Sequence, residues 1–200
     1  MSNKEHWEKI YTTKTPQEVS WTQETPTTSL DLIAKYNLPK DAKIIDIGGG
    51  DSLLADHLIA LGYANITVLD ISEAAIERAK TRLGEKANNV TWIVQDITEF
   101  TPTENYDLWH DRAVFHFLTT KADIDFYINT VQKWANHIVL GTFSTGGPIK
   151  CSGLEITQYN EQKISDTFCP AFTLLECNNV DHTTPFDTTQ NFVFARLSKQ

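Results

Sequence analysis

The stretch IIDIGGGDS, residues 44–52, decides the architecture. Ile44, Ile45 and Ile47 form a short strand-like run that breaks into three glycines, Gly48 to Gly50, ahead of a segment with helical spacing. Strand, glycine turn and helix together make a place where backbone approaches a ligand closely. A dinucleotide fingerprint GxGxxG would need a third glycine at position 53, which is Leu53, and the phosphate-cradling GxxxxGK[ST] is also absent. What remains is a glycine loop preceded by a carboxylate, Asp46, suited to a ligand that carries a cation and no pyrophosphate.

Working outward, short apolar runs alternate with helix-period segments, the pattern of a parallel sheet covered by helices. After the strand Lys43 to Ile47, a helix is expected over Asp51 to Leu61, with Leu54, His57, Leu58 and Leu61 on one face and Gly62 as its stop. The second pair is the strand Ile66 to Leu69 and a helix capped by Ser72, burying Ala75, Ile76, Ala79 and Leu83 before Gly84. The third strand is Val90 to Val94. The fourth opens YDLWHDRAVFHF, Tyr106 to Phe117, in which Asp111 can cap a short helical run, Arg112 to Leu118. Thr120 to Asp123 has the form of a capping box ahead of Ile124, Tyr127, Val131 and Trp134 at helical spacing. The fifth strand is His137 to Phe143. Phe172 to Val180 and Asn191 to Leu197, joined by HTTPFDTT, read as an antiparallel hairpin at one sheet edge. Upstream, the Thr/Pro-rich Thr12 to Thr28 reads as an ordered surface loop or lid.

A chain of 200 residues with 40% hydrophobic content is the size of one domain. Its formal charge of −9 and lack of a Lys/Arg cluster argue against nucleic acid as a partner, whereas a cationic acceptor is tolerated. Cys151, Cys169 and Cys177 are odd in number and without ligand spacing, so neither a disulfide framework nor a metal site is expected, and a reducing cytoplasm fits. The N-terminus MSNKEHWEKIY is polar, and no apolar run has the length of a membrane span.

Two more strand ends carry acids. VLDIS places Asp70 where a carboxylate can accept both ribose hydroxyls, with Ile71 beside it to cover a base. VQDIT places Asp96 and Ile97 equivalently, suited to an adenine amino group and its ring. A nucleoside with a cationic, phosphate-free tail describes S-adenosylmethionine.

DIGGG, LDIS, QDIT and YDLWHDRA, in this order and spacing, resemble the strand-end motifs of class I S-adenosylmethionine-dependent methyltransferases over roughly residues 40 to 145. HWEKIY followed by EVSW resembles the W(D/E)xxY...W segment of thiopurine-type S-methyltransferases and small protein-lysine methyltransferases, which folds over the cofactor as a lid. The resemblance implies a Rossmann-like, doubly wound, mostly parallel seven-stranded α/β sheet ending in an antiparallel hairpin. It gives Asp46, Gly48 and Gly50 to the methionine part of S-adenosylmethionine, Asp70 and Ile71 to ribose and adenine, and Asp96 and Ile97 to the adenine edge. Trp7, Tyr11 and Trp21 would line the cofactor and acceptor entrance. The D(R/K)G triplet that ends the fourth strand in those groups, beside the transferred methyl, is here Asp111-Arg112-Ala113, with alanine in place of glycine and His110 added.

The expected organisation is a single domain over 1–200: a lid and first helices over 1–40, a cofactor-binding core over 41–145, and an acceptor-side loop and hairpin over 146–200. His110, Asp111 and Arg112 are the candidate catalytic residues, with the His110 imidazole suited to removing a proton from an acceptor and Arg112 to orienting an anionic one. His116 reads as a core or groove histidine. Three functions stay open: methyl transfer to a small thiol or related nucleophile, methyl transfer to a lysine on a partner protein, and a cofactor-binding module without transferase activity.

Overall fold

The computed structural model describes residues 2–200. Helices α1 (Asn3–Thr13) and α2 (Thr27–Ala34) lead into β1 (Lys43–Ile47), α3 (Leu54–Ala60), β2 (Asn65–Asp70), α4 (Glu73–Leu83) and β3 (Val90–Val94). Then follow β4 (Tyr106–Arg112), α5 (Lys121–Trp134), β5 (Ala135–Phe143), a small ladder of β6 (Lys150–Cys151) and β7 (Leu154–Glu155), and α6 (Glu161–Phe168). The chain ends in β8 (Phe172–Thr183) and β9 (Thr189–Lys199). The main sheet has seven strands in the order β3-β2-β1-β4-β5-β9-β8. The pairs from β3 to β5 are parallel, and β9 runs antiparallel to both β5 and β8. This is the doubly wound sheet with a terminal hairpin that the sequence patterns imply. Chain progression reverses between β1 and β4, and ligands of such sheets sit beyond the strand carboxyl ends at that reversal.

Side-chain alternation divides the core between the two faces of the sheet. Ile45, Ile47 and Trp109 join Phe115, Tyr127 and Phe168 on one face. Ile44, Leu108 and Val139 join Leu54, Leu58, Val68 and Phe194 on the other. A strand buried on both faces reads as a nearly continuous apolar run, as β1 does apart from Asp46. Each such isoleucine contributes about 1.5–3 kcal/mol on burial.

Several boundaries differ from the sequence reading. The helix expected from Asp51 starts only at Leu54, because Asp51 is drawn into ion pairs with Arg78 and Arg82 and the Ser52 hydroxyl accepts from the Leu54 N–H. Its buried face is Leu54, Ala55 and Leu58, and Leu61 is 53% exposed beyond its end. The run Arg112 to Leu118 shortens to a 3-10 turn, Phe115–Phe117. At α5, Thr120 caps as expected, but Asp123 returns its carboxylate to the Thr120 hydroxyl (2.6 Å) and not to the Thr120 backbone N–H. The hairpin strands extend past the expected ends, with a bulge between Leu174 and Glu176.

The segment Thr12 to Thr28 contains the end of α1, a 3-10 turn at Pro16–Glu18 and the start of α2. Glu8 fastens α1 to the N-terminus of α4: its carboxylate accepts from the Ser72 hydroxyl (2.7 Å) and the Ala74 N–H (3.2 Å). A negative charge there also complements the helix dipole. The following loop is pinned to the hairpin through His182 Nε2 and the Ser20 carbonyl, 2.7 Å apart.

Candidate active site

The carboxyl ends of β1, β2 and β4, with the loop that follows β3, open on a cavity of about 350 Å³. Trp7, Tyr11, Val19 and Trp21 come from the N-terminal segment, and Cys151, Gln190 and Phe192 from the region after β5. Trp7 contacts Tyr11, Trp21 and Phe117 edge-on or tilted, with centroids 5.2–6.3 Å apart. Trp7, Tyr11 and Trp21, singled out from HWEKIY and EVSW, thus form a packed aromatic wall of the cavity.

Gly48 adopts φ +66°, and a Cβ there would come within 2.1 Å of Val114 Cγ2. Both restrictions demand glycine. Gly50 meets a different demand. It does not line the cavity; its N–H donates to Asp70 Oδ2 (3.0 Å), and a Cβ would collide with that oxygen. The methionine-side placement expected for Gly50 is therefore corrected to support of Asp70, and Gly49 lines the cavity with Gly48.

Asp70 is 4% exposed and takes one backbone N–H on each oxygen, from Gly50 and from Ser72. Burial raises it to about 6, against those hydrogen bonds, which lower it. A carboxylate has about four lone-pair positions, so two remain for a ligand. Asp96 uses Oδ1 on the N–H and hydroxyl of Thr98. Ile71, Asp96 and Ile97 line the same end of the cavity.

At the other end, His110 Nδ1 lies 2.6 Å from Asp46 Oδ1, and Nε2 lies 2.8 Å from the Ser29 hydroxyl. All three residues are buried and line the cavity. With Nδ1 protonated toward the carboxylate, Nε2 accepts from Ser29. Neither ring nitrogen is free for an acceptor, contrary to the expectation of a poised base. Ser29 carried no signal in the sequence beyond its place near a helix start.

Asp111 is corrected outright. It is fully buried on the opposite face, absent from the cavity wall, with Oδ1 accepting from the Val114 and Phe115 N–H groups and Oδ2 from the Tyr127 hydroxyl (2.8 Å). It caps the turn after β4, and burial raises it to about 6. Arg112 returns to the cavity side. One guanidinium N–H donates to the Trp21 carbonyl (2.9 Å), Cζ lies over the Phe192 ring 5.0 Å from its centroid, and Nε and Nη2 have no protein partner. His116 is buried against Phe143, accepts from the Phe143 N–H, and is held neutral by burial at about 3. Among the described residues no group of three or more His, Cys, Asp or Glu could hold a metal ion.

Residues 44–136 match the family model described as a methyltransferase domain. Malonyl-[acyl-carrier protein] O-methyltransferase 2 of Ilyobacter polytropus is 30% identical over 101 residues, covering 50% of this chain and 39% of its own length. EEF1A lysine methyltransferase 2 of Homo sapiens is 21% identical over 189 residues, covering 88% of this chain and 76% of its own. The fold is shared with the N-methyltransferase NodS from Bradyrhizobium japonicum in complex with S-adenosyl-l-homocysteine, with a TM-score of 0.76, 19% identity and 99% of each chain covered. The chain spans about 39% of the length of the malonyl-[acyl-carrier protein] relatives.

The residues present fit the cofactor of that family. Asp46 Oδ2 is buried without a protein partner, an acceptor suited to an ammonium group, and the two free positions on Asp70 suit a pair of hydroxyls. The domain match over residues 44–136, the strand order and this cavity agree with one another: that segment carries a methyltransferase domain on the fold of class I S-adenosylmethionine-dependent enzymes, whose cofactor is S-adenosylmethionine.

Proposed function

We propose that the chain transfers the methyl group of S-adenosylmethionine to a small-molecule nucleophile, a thiol or a related compound. The observation that carries the reading is the mixed lining of one cavity: the acidic strand-end residues Asp46, Asp70 and Asp96 share it with Phe143, Cys151 and Phe192 from the later strands. Bound S-adenosylmethionine supplies an electrophilic methyl for direct displacement. The protein then has to align a lone pair with it and exclude water. In this reading Asp46 holds the amino group, Asp70 the ribose, and Ile71, Asp96 and Ile97 the adenine, while Trp7, Tyr11 and Trp21 close the entrance. His110 acts as a positioning residue that fixes Asp46, and an acceptor that arrives ionised needs no base. Residues 1–40 form the lid, 41–145 the cofactor core and 146–200 the acceptor side of one methyltransferase domain.

The second reading, a lysine on a partner protein, is supported by the human lysine methyltransferase that aligns along most of both chains, and by the charge of −9. Labelled methyl transfer into a cell extract separates the two: counts in small thioethers support the first, counts in protein bands the second. Calorimetry with S-adenosylhomocysteine tests both, since no binding refutes them. Binding without turnover across a broad acceptor panel would leave a cofactor-binding module. A cytoplasmic setting is supported by three free cysteines, and among the described residues no helix is long and apolar enough to cross a membrane.

A further inference from the structure

We propose that Arg112 receives a carboxylate carried by the methyl acceptor, so that the acceptor is a small organic acid and not a cationic lysine; this rests on the methyltransferase reading. Two arginines line the cavity, Arg82 and Arg112. Arg82 is neutralised by Asp51 and Asp56. Arg112 has no carboxylate within ion-pair distance among the described residues, and its Nε and Nη2 have no protein partner. A buried guanidinium left in that condition is costly, and a planar fork of N–H donors matches the two oxygens of a carboxylate. Burial lowers Arg112 only to about 10, so it stays charged at neutral pH.

The strand order places Arg112 away from the nucleoside end. The nucleoside end lies at β2 and β3, and Asp46 on β1 offers its free oxygen to a cation. Arg112 ends β4, on the far side of the reversal, stacked on Phe192 of β9. A lysine ammonium brought there would meet the guanidinium and be repelled. The carboxylate of the cofactor's own methionine part is the competing source of the same chemistry.

The test compares 3-mercaptopropionate with its neutral amide, which share thiol and length, in binding to the protein saturated with S-adenosylhomocysteine. The wild type is expected to bind the acid at least about tenfold more tightly than the amide, the gain from charge-assisted hydrogen bonds. Arg112→Gln should erase the difference. Arg112→Lys should retain part of it and serves as the folded, charged control. Equal binding of acid and amide by the wild type, including no binding of either, overturns the proposal, as does an unchanged preference in Arg112→Gln. Weakened S-adenosylhomocysteine binding in Arg112→Gln with the acid preference intact assigns the guanidinium to the cofactor's carboxylate and also overturns it. If the wild type fails to bind S-adenosylhomocysteine, the methyltransferase reading falls, while the acid and amide comparison on the free protein still decides the subsite.

Discussion

Asp70 combines a ligand-facing position with burial that lifts its carboxyl to about 6. In the proposed role ribose hydroxyls donate to the ionised form, so protons would compete with the cofactor. S-adenosylhomocysteine affinity should be flat above pH 7 and fall below about 6, by up to about tenfold per pH unit. Asp70→Asn should bind weakly with this pH dependence removed; isothermal titration from pH 5 to 8 checks both. The contribution to folding runs in the other direction. A carboxyl raised in the folded state stabilises fully below its unfolded value, about 3.9, and that stability is lost as pH rises through about 6. Ala113 is strained in a simpler way, holding φ +72° where the related triplets have glycine. The left-handed conformation costs a non-glycine residue about 1–2 kcal/mol, partly offset by the greater entropy that glycine loses on folding. Ala113→Gly should therefore stabilise by up to about 1 kcal/mol, raising Tm by about 2–4 °C per kcal/mol at this size. An unchanged or lower Tm in thermal unfolding would show that the turn carries no strain.

At the scale of elements, β4 explains which parts of the site were legible in the sequence. The triplet His110-Asp111-Arg112 was visible as chemistry, but its three residues point alternately to opposite faces of the sheet. Period-2 alternation from Trp109 and Leu108 already required Asp111 to part from its neighbours, and this signal was available. The partner of His110 was not legible, because Ser29 arrives from 81 residues earlier in the chain. The role of Gly50 was hidden for a similar reason: its neighbour Asp70 belongs to another strand end. Strand ends and the hairpin were legible because apolar runs bounded by glycine or acids are local features. Asp111→Ala is expected to cost about 2–4 kcal/mol, since two N–H groups and the Tyr127 hydroxyl lose their acceptor. Urea unfolding measures it, and a wild-type midpoint would return Asp111 to a purely chemical role. Helix α1 offers a second test. Glu8→Ala removes the acceptor for Ser72 and Ala74 and should cost about 1–2 kcal/mol. Proteolysis within 14–26 should quicken and S-adenosylhomocysteine should dissociate several-fold faster; unchanged stopped-flow rates would mean that α1 is no part of the proposed lid.

Across the whole molecule, the charge of −9 acts differently on the three ligands that the cavity is proposed to admit. S-adenosylmethionine carries a net positive charge through its sulfonium, S-adenosylhomocysteine is net neutral, and the proposed acceptor is an anion. The protein's field therefore steers S-adenosylmethionine inward, leaves S-adenosylhomocysteine almost unaffected and opposes the acid until it comes within reach of Arg112. Salt shortens the range of that field from about 30 Å at 0.01 M to about 10 Å at 0.1 M. Over this interval the association rate of S-adenosylmethionine should fall several-fold, that of S-adenosylhomocysteine should stay nearly constant, and that of 3-mercaptopropionate should rise. Dissociation rates should change less, because contacts inside the cavity are screened little. Parallel salt slopes for the cofactor and the acid would mean that the net charge does not reach the entrance. A lysine-bearing protein as acceptor would give a slope of the same sign as S-adenosylmethionine, so one salt series tests the global field and the sign of the acceptor together.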